Sequence, residues 1–138
     1  MARVERLHAL CAELALLSVY LFGSRAGDGA LRLQGHEVAG EGSDLDVGVF
    51  GRAGRIDGRR LGPLQVALEE LFAPLRVDLV PLDRVDPIFQ FAAVRGERVA
   101  APDSTAADEK ELEVMRRAAD LLPIQRALER QEFGVSTT

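Results

Sequence analysis

Hydrophobic and polar residues follow two periods along the chain, and these periods predict both helices and strands. Apolar residues at helical spacing predict four helices, and short apolar runs rich in β-branched and aromatic residues predict strands. The predicted helices are residues 3–15, 63–72, 86–94 and 103–133; the predicted strands are residues 16–22, 44–50 and 75–80, with a short extended piece at 99–101. This order of elements predicts an α/β or α+β fold with a small mixed sheet flanked by helices and a long C-terminal helix.

Glycine and proline residues refine these boundaries. Residues 27–42 are dense in glycine and predict a turn-rich loop, within which residues 30–33 could form a brief helical turn. Pro63 fits the first turn of its helix, and Asp86 is a plausible N-cap. Pro123 should kink or break the last helix, because proline lacks the amide hydrogen that continues the helical ladder.

Length and charge narrow the class of protein. The 138 residues predict one domain, with a core at about 3–101 and a helical segment at about 104–133. No apolar run approaches the roughly 18 residues that span a bilayer, and no signal peptide is evident, so a cytoplasmic protein is expected. The net charge of −5 argues against bulk binding of nucleic acid. The single cysteine, Cys11, cannot form an internal disulfide and is expected in the core.

A glycine and a serine end the first predicted strand. At such a position Gly23 and Ser24 leave backbone N–H groups free and let a phosphate approach closely. A helical turn beginning there would add a favourable dipole for an anion. Taken alone, the same two residues also fit an ordinary turn.

Three aspartates suggest a metal site. Asp44 and Asp46 alternate on a predicted strand, so both carboxylates share one face, about 7 Å apart. Taken alone, this pair also fits the polar face of an edge strand. Asp78, however, interrupts another apolar strand, and adjacent strands would bring it within about 4.8 Å of the first. Three such carboxylates suit two Mg²⁺ ions, and together with the Gly-Ser turn they indicate nucleotidyl transfer.

These motifs resemble those of the DNA polymerase β superfamily of nucleotidyltransferases, and most closely the minimal nucleotidyltransferases (MNTs) of bacteria and archaea. The resemblance covers residues 15–101, and its motifs are LFGSRAG at 21–27, GSDLDV at 42–47 and VDL at 77–79. In one respect the chain departs from the family pattern. The stretch at residues 28–41 is longer than usual and introduces His36, to which no role is assigned.

The resemblance implies a set of site residues. Asp44, Asp46 and Asp78 would bind two Mg²⁺ ions, with Mn²⁺ as an alternative, and Asp78 would also act as general base. The phosphates of ATP, the implied nucleotide donor, would bind at a second set of residues. These phosphate-binding residues are Gly23, Ser24, Arg25 and Ser43.

The resemblance also implies a partner. Many minimal nucleotidyltransferases act as antitoxins of a small helical HEPN protein, and some transfer AMP onto it. The long C-terminal helix, or the apolar residues near Phe89 and Phe91, would contact such a partner. Two alternatives stay open: an antitoxin that acts by binding alone, and an enzyme that modifies a small molecule such as an aminoglycoside, with a homo-oligomer completing its site. A polymerase that extends nucleic acid is disfavoured by the acidity of the chain.

Overall fold

A mixed sheet forms the centre of the protein in a computed structural model, which describes the backbone of residues 1–133 and the side chains of residues 1–131. Over this described part the sheet has four strands in the order β3-β2-β1-β4. They are β1 (Leu16–Phe22), β2 (Leu45–Gly51), β3 (Val77–Pro81) and β4 (Glu97–Ala100). β1 runs antiparallel to β2 and β4, whereas β2 and β3 are parallel.

Helices cover both faces of this sheet. They are α1 (Arg3–Glu13), α2 (Ala26–Leu33), α3 (Gly58–Phe72), α4 (Pro87–Val94) and α5 (Ser104–Phe133), with a 3-10 turn at Leu82–Arg84. The core on one face joins the sheet to α1, α2 and α3 and includes Leu7, Leu33 and Leu68. The core on the other face lies under α4 and α5 and includes Tyr20, Phe50, Leu82, Ala93 and Val114. The predicted α+β class with its small mixed sheet is therefore confirmed.

The helix α2 lies partly in the segment 27–42 predicted to be a turn-rich loop, so that prediction is wrong for residues 27–29, whereas the helical turn allowed at 30–33 is part of the helix. The glycines there led to the error, because glycine disfavours helix. Gly29 is buried, and a Cβ atom on it would lie 2.8 Å from a methyl carbon of Leu45 and 2.9 Å from one of Leu21. Glycine therefore lets this helix pack closely against the sheet, a tertiary requirement that local propensity does not show.

The predictions for two prolines have different outcomes, and the one for Pro63 is wrong. The helix α3 begins at Gly58, where Asp57 caps it by accepting a hydrogen bond from Arg59 N at 3.0 Å, so Pro63 lies inside the helix. The helix α5 continues through Pro123, so it does not break there; the alternative, a kink, stays a prediction. The cap at Asp86 is confirmed, since its side chain accepts a hydrogen bond from the backbone of α4.

The sequence predicts no segment that spans a membrane. Within residues 1–133, none of the helices is both long and apolar enough to cross a membrane. The single domain predicted over residues 1–138 stays a prediction, and residues 134–138 of it lie outside the described part.

Candidate active site

One row of residues across the sheet contains two of the predicted carboxylates. Asp46 on β2 is the register partner of Asp78 on β3 and of Phe22 on β1. Residues paired directly across strands point to the same face of the sheet. We call Phe22, Asp46 and Asp78 the open row, because Phe22 and Asp46 are only partly buried and Asp78 is exposed.

The predicted phosphate turn lies against this row. Gly23 has a φ of +77°, and a Cβ atom on it would overlap Oδ2 of Asp46. Only glycine allows the turn to approach the carboxylate in this way. The exposed hydroxyls of Ser24 and Ser43 lie 3.0 Å apart, and α2 begins at Ala26. The turn, a helix N-terminus and a carboxylate therefore meet at the end of β1, an arrangement suited to an anion that carries a cation with it.

Electrostatics at Asp46 show that negative charge is crowded here. Partial burial raises the pKa of Asp46, and the charge of Asp78, a side-chain hydrogen bond with Asp78 and the charge of Asp44 raise it further. Each of these causes disfavours the ionised carboxylate. A divalent cation would reverse this preference, since it stabilises the ionised form of every carboxylate around it.

Asp44 lies just before the strand on which the sequence predicted it. β2 begins at Leu45, so Asp44 precedes the strand instead of alternating on it. Its Oδ1 lies 3.2 Å from Nε of Arg76, and both side chains are largely exposed. Sequence reasoning missed Arg76, although strand register could have found it: Leu45 pairs with Val77, which makes Asp44 and Arg76 the next residues outward.

The carboxylates of Asp44, Asp46 and Asp78 would suit a hard cation if Asp44 left its ion pair with Arg76. Among residues 1–131, no group of three or more His, Cys, Asp or Glu side chains is arranged to hold a metal ion. Asp46 and Asp78 converge, but Asp44 is paired with Arg76. An exposed ion pair contributes only about 0–1 kcal/mol to stability, so Asp44 would lose little stabilisation by leaving Arg76 to bind a cation. The predicted three-carboxylate metal site stays a prediction that requires this exchange.

Arg25 is buried and forms hydrogen bonds to the loop at residues 39–43, which leads to Asp44. Its guanidinium donates a 2.8 Å hydrogen bond to the carboxylate of Asp28. It also donates hydrogen bonds to the backbone carbonyls of Glu41 at 2.9 Å, of Ser43 at 3.1 Å and of Ala39. A guanidinium has about five N–H donors, so most are already used. The phosphate contact predicted for Arg25 stays a prediction, and the observed bonds hold in place the segment that leads to Asp44.

The remaining candidate groups lie outside this arrangement. Cys11 is fully buried in the core, as predicted, and burial raises the pKa of its thiol to about 11. A thiol with so high a pKa is a poor nucleophile at neutral pH. His8 and His36 are both exposed.

Several solved structures of toxin–antitoxin complexes contain a chain with a similar fold. The chain is similar to a chain in the complex of a tri-AMPylated HEPN toxin from Shewanella oneidensis with an MNT antitoxin, with a TM-score of 0.66, 16% identity and coverage of 95% of this chain and 96% of that chain. A toxin–antitoxin structure with AMP-PNP matches with a TM-score of 0.56 and 21% identity over 94% of each chain. The MntA–HepT toxin–antitoxin complex matches with a TM-score of 0.55 and 18% identity, over 95% of this chain and 92% of that chain.

The chain has the fold of a minimal nucleotidyltransferase. The fold predicted from the Gly-Ser and aspartate motifs is therefore confirmed. No family model matches the sequence, and no curated protein matches it significantly. At these identities the likeness concerns the fold alone.

Proposed function

We propose that this chain is a metal-dependent nucleotidyltransferase that moves AMP from ATP onto a hydroxyl group of a HEPN-type partner and acts as the antitoxin of that partner. The observation that carries the proposal is the pairing of Asp46 with Asp78 across β2 and β3, directly beside the Gly23 turn. A partly buried position beside a second carboxylate is unfavourable for an ionised aspartate unless the site binds a cation. The fold shared with MNT proteins agrees with this chemistry.

The triphosphate would bind at the turn. The N–H groups of Gly23 and Ser24 and the Ser24 hydroxyl, which lies 3.0 Å from that of Ser43, would hold the β- and γ-phosphates. Asp46 and Asp78, joined by Asp44 once it leaves Arg76, would hold Mg²⁺. The ions would supply charge neutralisation for the phosphates and the departing pyrophosphate.

The reaction is a displacement at the α-phosphorus. The oxygen of the acceptor hydroxyl forms a bond to this phosphorus, and the bond to the bridging oxygen of the β-phosphate breaks. Pyrophosphate leaves with the electron pair, and Asp78 takes the acceptor proton. Asp78 suits this role because it is exposed on the edge strand β3, where a second molecule can reach it. Most of the acceleration would come from positioning and from charge stabilisation.

The acceptor is proposed to be a protein, because α5 presents an apolar surface to it. Leu121, Ile124 and Leu128 share one side of this helix and are 37%, 58% and 58% exposed. Three solved structures with this fold are toxin–antitoxin complexes, and in one of them the HEPN toxin is tri-AMPylated. A HEPN-type partner on α5 and a cytoplasmic location are therefore our expectations, with a homo-oligomer as the alternative use of this surface.

One observation favours a second candidate function. The Asp44–Arg76 ion pair removes one carboxylate from the metal set. An antitoxin that acts by binding alone would have no need to break that pair. The two candidates differ in whether the partner is chemically modified.

The deciding experiment is co-expression with the protein encoded by the neighbouring gene. The purified complex is incubated with ATP and Mg²⁺, and intact mass spectrometry measures nucleotide on the partner. We expect the mass of AMP to be added by the wild-type chain and by the matched surface variant Glu70→Gln on α3, and not by Asp44→Ala. A complex that forms but leaves the partner unmodified would support the binding-only candidate.

A further inference from the structure

Two aromatic rings lie at the end of the open row. Phe22 is the last residue of β1, and Phe89 is in the first turn of α4. Their ring centroids are 5.9 Å apart, and the planes meet at 88° in an edge-to-face contact. Asp86 fixes the turn that carries Phe89, because its side chain accepts a hydrogen bond from Phe89 N at 2.9 Å.

The core does not account for Phe89. Its side chain is 41% exposed, and it is not among the residues packed in the core beneath α4 and α5. Phe91, two residues later, does pack against that core, with the Arg95 guanidinium 5.5 Å from its ring centre. Phe89 and Phe22 therefore form an aromatic pair whose outer ring is open to a ligand.

The rings lie where a nucleotide bound at this site would extend. Phe22 is directly opposite Asp46, and such antiparallel partners have Cα atoms about 4.5–5.5 Å apart. The triphosphate tail would occupy the Gly23 turn, and the acceptor would approach over β3, where Asp78 is exposed. From the α-phosphorus, the direction left for ribose and base is toward β1 and α4.

We infer that Phe22 and Phe89 form the binding surface for the nucleobase of the triphosphate, with the exposed ring of Phe89 stacking on the base. This inference rests on the proposed function, since it places the rest of the nucleotide from its phosphates. Stacking on an aromatic ring accepts any base, because every base has a π face. The surface therefore supplies affinity for a nucleoside triphosphate over inorganic polyphosphate, and only weak preference among bases.

Calorimetric titration with two probes in Mg²⁺ tests this inference. ATP contains a base, whereas tripolyphosphate carries only the phosphate chain. Phe89→Ala should weaken ATP binding by on the order of tenfold and leave tripolyphosphate binding unchanged. Phe89→Leu, which keeps an apolar side chain but no ring, should lose most of that affinity, and Phe89→Tyr should retain it. Val66→Ala, at an exposed apolar residue of α3, is the matched control.

The outcomes separate the inference from the function it rests on. If wild type binds tripolyphosphate and ATP but Phe89→Ala leaves ATP affinity intact, or weakens both probes equally, the nucleobase surface is wrong and the phosphate site stands. If Phe89→Ala instead weakens only partner binding, the ring is a protein contact and the inference is also overturned. If wild type binds neither probe, both the inference and the proposed function are wrong.

Discussion

Two neighbouring rows of the same sheet face have opposite character. The open row, Phe22, Asp46 and Asp78, is partly or fully accessible. The row two residues further along the strands, which we call the buried row, contains Tyr20, Gly48 and Val80, in register with one another. The rows are about 7 Å apart, yet Tyr20 is fully buried and Asp78 is exposed.

The helical cover explains this contrast. At the buried row, Leu82 packs so closely on the sheet that a Cβ atom on Gly48 would lie 2.9 Å from it, and Glu111 of α5 accepts a hydrogen bond from the Tyr20 hydroxyl at 2.8 Å. At the open row two carboxylates replace the core residues, and burial, followed by the charge of Asp78, raises the pKa of Asp46. Stability is therefore concentrated at the buried row, and the chemistry at the open row is maintained against stability.

The largest effect is expected from Asp46→Asn. Its raised pKa means that the folded chain holds this proton more tightly than the unfolded chain does, so stability is lost as pH rises through the folded pKa. Asn carries no charge, so the variant should melt above wild type at pH 7, with the difference vanishing in acid. Nucleotide transfer should fall by at least on the order of a hundredfold.

Melting curves across pH and transfer assays check both parts of this prediction, with Glu70→Gln on α3 as the matched control. A variant that melts below wild type at neutral pH, or that still transfers nucleotide, would contradict the contrast between the two rows.

The next effect concerns the core beside the buried row. Phe50 is fully buried, with its ring 6.3 Å from that of Tyr20 in an edge-to-face contact. Phe50→Ala should cost about 3–5 kcal/mol in urea denaturation, whereas exposed Val66→Ala should change the free energy of unfolding by less than about 0.5 kcal/mol. The folded Phe50→Ala protein should keep wild-type affinity for ATP. Loss of ATP affinity at full folding would show that the two rows are not independent.

An intermediate effect is expected at Arg25. Lysine keeps the charge but cannot reach Asp28 and the carbonyls of the loop together. Arg25→Lys should cost about 1.5–3 kcal/mol and lower transfer activity, because the segment before Asp44 loses its anchor. The matched control is Arg59→Lys, at an exposed residue in the first turn of α3. Unfolding and transfer measured together check it; unchanged values for both would refute the anchoring role.

The smallest effect is expected for Tyr20→Phe. The change removes one buried hydroxyl, but Glu111 keeps Arg98, whose guanidinium lies 3.1 Å away. Denaturation should show a loss of about 0.5–1.5 kcal/mol, with transfer activity unchanged. Burial raises the pKa of Tyr20 to about 12, and it is the only tyrosine in the chain. Tyrosinate absorbance in the native protein near pH 10 would contradict its burial.

Much of the fold could be predicted because several elements have strong local signals. The predicted bounds of β1 agree with the observed ones, since the strand is apolar at every position except Ser18 and ends just before Gly23. The pairing of the Asp46 strand with the Asp78 strand followed from the chemistry expected of clustered carboxylates, and the register confirms it.

The errors arise where distant contacts override local preference. Gly29 favours a loop by propensity, but it allows α2 to pack on Leu21 and Leu45. Pro63 and Pro123 lie inside helices whose other turns outweigh the lost hydrogen bonds. The hydrogen bond of Arg25 to Glu41 depends on loop geometry that no periodicity encodes, whereas the Asp44–Arg76 ion pair follows only once the register of β2 with β3 is known.

The central claim is that Asp46 and Asp78 bind a cation and a triphosphate at the Gly23 turn. Calorimetric titration with a non-hydrolysable ATP analogue, in Mg²⁺ and then in EDTA, tests it most directly. We predict binding that requires Mg²⁺ in the wild-type chain and is lost in both Asp46→Asn and Asp78→Asn. Equal binding in EDTA, or unchanged affinity in the two variants, would contradict the claim.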